Sequence, residues 1–243
     1  WFINVFLRGY RFNPNELTIS QDEEGHLDIR IKGKWWSTIM WEMPILATIS
    51  ELMHTLNGDM QKYDAEKEYQ KSYEKGRKIW ENGLTLGDMG TRRRFSYEHH
   101  ERVIDALIAS YAEVKQETNG QCGKFTGTSN VYLAMKKGIP CLGTMSHQCI
   151  SFEEIVSGVF ECNYNVMNKW SEVYDGNVGI FLYDCFGDNV FFNNLSKRMA
   201  MTFCGLRIDS GKEEEQVDKI VEKYKQLGID PMTKQAVFSN GLN

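Results

Sequence analysis

From residue 84 onward, short apolar runs alternate with amphipathic helical patterns, and this alternation limits the possible folds more than any other feature. The runs are LTLGDMG (84–90), GKFTGTS (123–129), IPCLGTM (139–145), NVGIFLYDC (177–185), FCGLRIDSG (203–211) and AVFSNGLN (236–243). Between them Val103, Ile104, Leu107, Ile108, Tyr111 and Val114 recur at i, i+3, i+4, as do Val217, Ile220, Val221, Tyr224 and Leu227. Strand and helix in alternation imply a parallel sheet with right-handed crossovers. So many units exceed what a small doubly wound domain needs. Polar residues at the strands' carboxyl ends match the way barrels build sites from their βα loops. The expected fold is α/β, a (β/α) barrel that is incomplete in this chain, over residues 84–243. An open sheet shares the alternation and stays open as the other architecture.

The N-terminal part reads differently. HLDIRIKG (26–33) and WWSTIMW (35–41) have the composition of two strands around a Gly33–Lys34 turn, and Pro44 then opens a helix with Ile45, Leu46, Ile49, Leu52 and Met53 on one face. Residues 1–58 are expected to form part of an α+β domain. Residues 59–83 are charged almost all round, as in an exposed connecting helix. With 243 residues and 42% hydrophobic content, the chain can bury a sizeable core. No stretch approaches the about 18 to 20 apolar residues of a membrane span, and WFINVFLRGY lacks the pattern of a signal peptide. The 6 cysteines show no CxxC spacing, which fits reduced thiols. These features predict a cytoplasmic protein with no membrane partner. The chain starts at Trp1 and stops in SNGLN, so it is expected to be a piece of something longer.

Charge adds a local feature. Against 33 acidic residues the 28 Lys and Arg leave a net charge of −5, yet GTRRRFSYEHH (90–100) places Arg92, Arg93 and Arg94 in succession after a glycine. The strand tips GTRRRF, TGTSN, GTMSH, RIDSG and SNGLN, placed on one face, would gather these arginines with Arg207, His147 and glycine-loop amides, a face suited to phosphates. TGTSN also opens the helix VYLAMKK, whose first-turn amides favour an anion. Plainer readings compete. Three arginines can be a solvated helix start, and His147 a satisfied structural residue. His99 and His100 read as structural, on an exposed helix turn. Arg207 and Asp209 can be a neutralising pair, and Thr126, Thr128 and Ser129 can cap a helix. A nucleic-acid binder is disfavoured by the net charge and by the absence of a basic stripe with interleaved aromatics.

GTRRRFS, FTGTSNVYLA, GTMSH, RIDSG and FSNGLN, in this order and at these separations, resemble nicotinate phosphoribosyltransferases, and the likeness runs from WEMPILATISEL (41–52) to YKQLGIDPMTK (224–234). The resemblance implies a type II phosphoribosyltransferase. Such an enzyme joins nicotinate to phosphoribosyl pyrophosphate, giving nicotinate mononucleotide and pyrophosphate for NAD biosynthesis. It is a glycosyl transfer made ligase-like by ATP. Carried over by motif, Arg92 lies beside the pyridine ring and near the phosphates, Arg207 meets substrate anions, and His147 is the residue phosphorylated by ATP. Asp209 is the carboxylate for Mg²⁺ or the ribose hydroxyls, with the ion pair to Arg207 as the other reading. Thr91, Thr128, Ser129, Ser210, Gly211 and Asn240 complete the expected substrate-binding set. The family completes its base pocket from a neighbouring subunit, so a homodimer is expected. Lys212 and Gln148 depart from acidic residues in the family, Cys149 from an aromatic, and Met89 from Phe. The family's base-stacking aromatic and its glycine-rich phosphate loop fall outside residues 1–243. These departures leave a second reading, an inactive barrel paralogue or fragment that serves as an assembly partner.

Overall fold

HLDIRIKG does form a strand, but its partner precedes it. Leu17–Gln21 (β1) pairs antiparallel with Leu27–Ile31 (β2), Leu17 opposite Ile31. A computed structural model describes residues 2–175 and 177–241, which group into two compact units, Trp1–Leu142 and Gly143–Asn243.

In the first unit WWSTIMW is helical, contrary to expectation. Trp35–Thr38 (α1) and a 3-10 turn at Ile39–Trp41 lead into Glu42–Leu56 (α2). Glu16 supplies the reason: one of its carboxylate oxygens accepts from Ser37 Oγ at 2.9 Å and from Trp41 Nε1 at 3.0 Å. Residues four apart reach one acceptor together only on a helical face, which overrides the strand preference of Trp and Ile. Pro44 lies in the first turn of α2, where its missing N–H leaves no helical bond unmade.

Ala65–Glu81 (α3) is capped by Asp64, which accepts from the amides of Glu66 and Lys67. Contrary to the expectation of charge nearly all round, Tyr69, Ser72, Tyr73 and Ile79 are half-buried on one stripe, and Gly76 and Trp80 on it are buried against Tyr97–Glu117 (α4). Trp80 Nε1 donates to Ser110 Oγ at 3.0 Å, and a Cβ at Gly76 would overlap that same oxygen. Glycine therefore lets the two helices meet, while Arg77 on the outer side pairs with Glu81, Glu113 and Glu117.

Thr85–Asp88 (β3) and Lys124–Thr128 (β4) form a parallel pair, followed by Val131–Lys137 (α5). IPCLGTM, expected as a third strand, contributes a single bridge between Cys141 and Thr128. Pro140 has no N–H to extend the ladder, although its carbonyl accepts the Thr128 amide at 3.2 Å. The approach is so close that a Cβ at Gly127, whose φ is +114°, would run into that carbonyl. The core of this unit includes Trp80, Ile104, Leu107, Val114, Phe125 and Leu133.

The second unit begins with an exposed Gly143–Thr144 segment and continues through His147–Ser157 (α6) and Cys162–Val173 (α7). Ile180–Leu182 (β5), Gly205–Ile208 (β6) and Gln235–Phe238 (β7) form a parallel sheet in the order β5-β6-β7. Asp188–Asn194 (α8), Lys197–Thr202 (α9) and Glu213–Gln226 (α10) fill the crossovers. All four residues of β6 are buried, as suits the middle strand of a covered parallel sheet. Phe181, Tyr183, Phe191, Phe203, Leu206 and Tyr224 dominate its core. Leu242 and Asn243, expected to extend the last strand run, lie outside the described residues. The fold is mixed α/β with parallel ladders, and no closed barrel is found among the described residues. No described helix is long and apolar enough to cross a membrane.

Candidate active site

In the second unit the ends of three parallel strands and the start of one helix converge on His147. The imidazole is the first residue of α6, and its Nε2 lies 3.3 Å from Asp184 Oδ1 and 3.7 Å from Asp209 Oδ2. Asp184 opens the 3-10 turn that follows β5, and its side chain is only 4% exposed. Its other oxygen accepts the Asp209 amide at 3.2 Å and the Ser210 hydroxyl at 2.6 Å. Asp209 follows β6 and accepts the hydroxyl of Ser239, just beyond β7. Arg207, 8% exposed within β6, donates to the Met145 carbonyl at 3.0 Å and stands 3.9 Å from Asp209 Oδ2.

Two carboxylates thus face the Nε2 side of the imidazole at ion-pair distance. A neutral imidazole nitrogen can act as a nucleophile, and the half-exposed ring is open to a partner molecule. Asp184 was not singled out in the sequence, although it stands where a strand run turns polar, as Asp209 does. Ser239, likewise the first polar residue after a strand, carries no sequence signal beyond that position.

The remaining sequence candidates of this unit, Gly211 and Asn240, are hydrogen-bonded to each other. Gly211 has φ +81°, and a Cβ there would crowd Gln216. Its carbonyl accepts from Asn240 Nδ2 at 3.0 Å, and the same amide donates to Glu213 at 2.8 Å. Lys212 precedes α10 without a side-chain cap and pairs with Glu215 at 3.1 Å.

In the first unit the tips of β3 and β4 are joined through Asp88. Its Oδ2 accepts the Thr128 hydroxyl at 2.6 Å and lies 2.8 Å from His100 Nε2, while Oδ1 accepts the Gly90 amide at 3.1 Å. Burial pushes the Asp88 carboxyl upward, but the bonds and charge of His100, with Thr128 and the Gly90 amide, outweigh it and leave the group below its ordinary value. His100 is 3% exposed, so the expected exposed helix turn is corrected: the first turn of α4 faces inward at this residue. His99 is half-buried beside Tyr63, whose hydroxyl is 3.0 Å from His99 Nδ1.

The arginines divide by role. Arg92 is half-exposed, with one contact to Glu42 at 3.3 Å, and Arg93 is exposed. Arg94 pairs with Glu51 at 3.3 Å and lies over the Tyr97 ring at 5.5 Å. Thr91 Oγ1 accepts from Asn130 Nδ2 at 3.2 Å, and the Ser129 amide donates to the Asp88 carbonyl at 2.8 Å. Asn130, rather than Thr126, Thr128 or Ser129, caps α5 by accepting the Leu133 amide. The first unit thus gathers Thr91, Arg92, Thr128 and Ser129, and the second gathers His147, Arg207, Asp209, Ser210, Gly211 and Asn240.

Comparison with known proteins identifies the lineage. Residues 84–243 match the nicotinate phosphoribosyltransferase (NAPRTase) family, and residues 1–50 match the NAPRTase N-terminal domain. A nicotinate phosphoribosyltransferase of Methanosarcina acetivorans is 36% identical over 98% of this chain and 59% of its own length. The crystal structure of nicotinate phosphoribosyltransferase from Porphyromonas gingivalis superposes with a TM-score of 0.88 at 39% identity, covering 98% of this chain and 58% of that one. The corresponding structure from Vibrio cholerae gives a TM-score of 0.75 at 27% identity, over 98% and 55% of the two chains. The chain spans 59% of the length of the first of these relatives, and it belongs to the nicotinate phosphoribosyltransferase family.

Proposed function

We propose that the chain acts as a nicotinate phosphoribosyltransferase, forming nicotinate mononucleotide and pyrophosphate from nicotinate and phosphoribosyl pyrophosphate in NAD biosynthesis, with ATP hydrolysis coupled through phosphorylation of His147. The placement of His147 between Asp184 and Asp209 carries this reading. Nδ1 attacks the terminal phosphorus of ATP, the bond to the ADP oxygen breaks, and the carboxylates hold the Nε2 proton as the ring gains charge. Water later takes the phosphoryl group from the ring. In the transfer itself, positive charge grows on the ribose and negative charge on the departing pyrophosphate. Arg92 in its half-exposed loop suits the anionic side of that separation, and Asp209 suits the cationic side or the ribose hydroxyls. Arg207 places its fixed charge 3.9 Å from Asp209 Oδ2.

Direct ligation of Mg²⁺ by Asp209 fits the residues poorly. One of its oxygens is taken by Ser239 and the other faces both Arg207 and His147, so a resident dication would meet a cationic side chain. Any Mg²⁺ in the reaction is accordingly read as arriving on the substrate phosphates.

The parallel ladders with helices between them support reading the strands as an arc of a (β/α) barrel, incomplete in this chain. A cytoplasmic homodimer is the assembly expected from the family resemblance, and sedimentation of the protein tests it. The function is tested by product analysis with each base, with and without ATP. His147→Asn is expected to abolish ATPase activity and the ATP-dependent gain in nicotinate mononucleotide while some ATP-independent synthesis persists. Equal losses of both activities together with stability would instead make His147 structural.

A further inference from the structure

We infer that His100 is a positioning residue for the Gly90–Arg93 loop, acting through the Asp88 carboxylate to hold the tips of β3 and β4 in one arrangement. Asp88 is the junction. Its oxygens take the Gly90 amide, the Thr128 hydroxyl and His100 Nε2, and its main-chain carbonyl takes the Ser129 amide. Thr128 in turn accepts the Asn130 amide at 3.0 Å, and Asn130 reaches back to Thr91. The closed circuit therefore runs from the loop that carries Arg92 to the start of α5 and back.

His100 is the member that enters from a different element. Its other ring nitrogen, Nδ1, is buried without a hydrogen-bond partner among the described residues. Hydrogen bonding by the ring among the described residues therefore runs through Nε2, to Asp88. The ring thus has one hydrogen-bonding task, to fix the rotamer of Asp88. A Cβ at Gly90 would stand 3.1 Å from Asp88 Oδ1 and 3.7 Å from His100 Nε2, so the loop closes directly over the pair. When His100 is lost, Asp88 keeps its charge but loses its stop, and the amide and hydroxyl that depend on it lose their common anchor.

The assignment of this loop to substrate anions rests on the proposed function; the positioning role does not, and the two are tested separately. Hydrogen exchange read by mass spectrometry on the unliganded protein follows the Gly90 and Arg93 amides, both hydrogen-bonded here. In His100→Leu, the peptide spanning residues 89–94 is expected to exchange about tenfold faster, the scale of losing a hydrogen bond to a charged group. His100→Gln, which returns an N–H donor at a similar reach, is expected to restore most of the protection. In the enzymatic assay, His100→Leu should raise KM for the anionic substrates about tenfold with kcat nearly unchanged, as weakened uniform binding predicts. Unchanged exchange across 89–94 in a folded His100→Leu protein, or equal exchange in the Leu and Gln variants, overturns the inference. Altered exchange with unaltered KM values keeps the positioning role and removes the loop from substrate binding.

Discussion

Asp184 shows what a single buried carboxylate decides. It touches His147, the Asp209 amide and the Ser210 hydroxyl at once, so it fixes both the imidazole and the loop after β6. Asp184→Asn keeps the shape but replaces with a neutral amide the negative charge that faces the His147 ring at 3.3 Å. The ATPase activity is expected to fall by about a hundredfold, within the range for losing an orienting or acid–base group. ATP-independent synthesis should fall much less. Equal losses in the two activities, measured on the same preparation, would mean that Asp184 serves the fold and not the histidine. At the same scale, Arg92, Arg93 and Arg94 look alike in sequence and differ in structure because Glu42 and Glu51 on α2 capture the first and third. Nothing in GTRRRF announces those partners, which lie more than forty residues away.

Elements were legible where periodicity reports burial and illegible where a few contacts decide. The parallel strands β4 to β6 stand out because mostly buried strands read as apolar runs, and α4 and α10 because their apolar residues fall on one stripe. WWSTIMW failed because a side chain twenty residues away, Glu16, dictates helical spacing. IPCLGTM failed because Pro140 cannot propagate a ladder. Helix α3 reads as exposed because charged residues crowd around its stripe of Tyr69, Ser72, Tyr73, Gly76, Ile79 and Trp80, whose closest approach to α4 is at Gly76. That contact makes a prediction. Gly76→Ala forces Ser110 Oγ aside and with it the bonds to Trp80 Nε1 and the Leu107 carbonyl. Overpacking costs about 1–3 kcal/mol, while the better helix propensity of alanine returns up to about 1 kcal/mol. The net effect is a lower melting temperature, by a few degrees at roughly 2–4 °C per kcal/mol. In Ser110→Ala the added methyl should be better tolerated, and a calorimetric double-mutant cycle measures that coupling. A Gly76→Ala protein as stable as the parent would show that α3 and α4 meet less closely than described.

Across the whole molecule, the two units carry different pH liabilities. In the first, Asp88 is held below its ordinary value, so the unfolded chain takes up a proton that the native state resists. The stability it contributes is present above the unfolded carboxyl value of about 3.9 and is lost as acid approaches the native one. In the second unit, burial pushes Tyr224 up to about 12 and raises Tyr183 strongly. Their contribution is present below the unfolded tyrosine value of about 10 and is lost as pH climbs toward the native values. Single-tryptophan variants that keep Trp80 or Trp170 report the two units separately. The Trp80 signal is expected to fail first in acid and the Trp170 signal first in alkali; simultaneous loss at both extremes would contradict this. The separation has a further consequence. The apolar clusters lie on either side of Gly143–Thr144, an exposed stretch without secondary structure. One proteolytic cut there would put the arginine loop and the histidine centre on different polypeptides, each with its own core intact, and would make covalent continuity between them something that can be removed on its own.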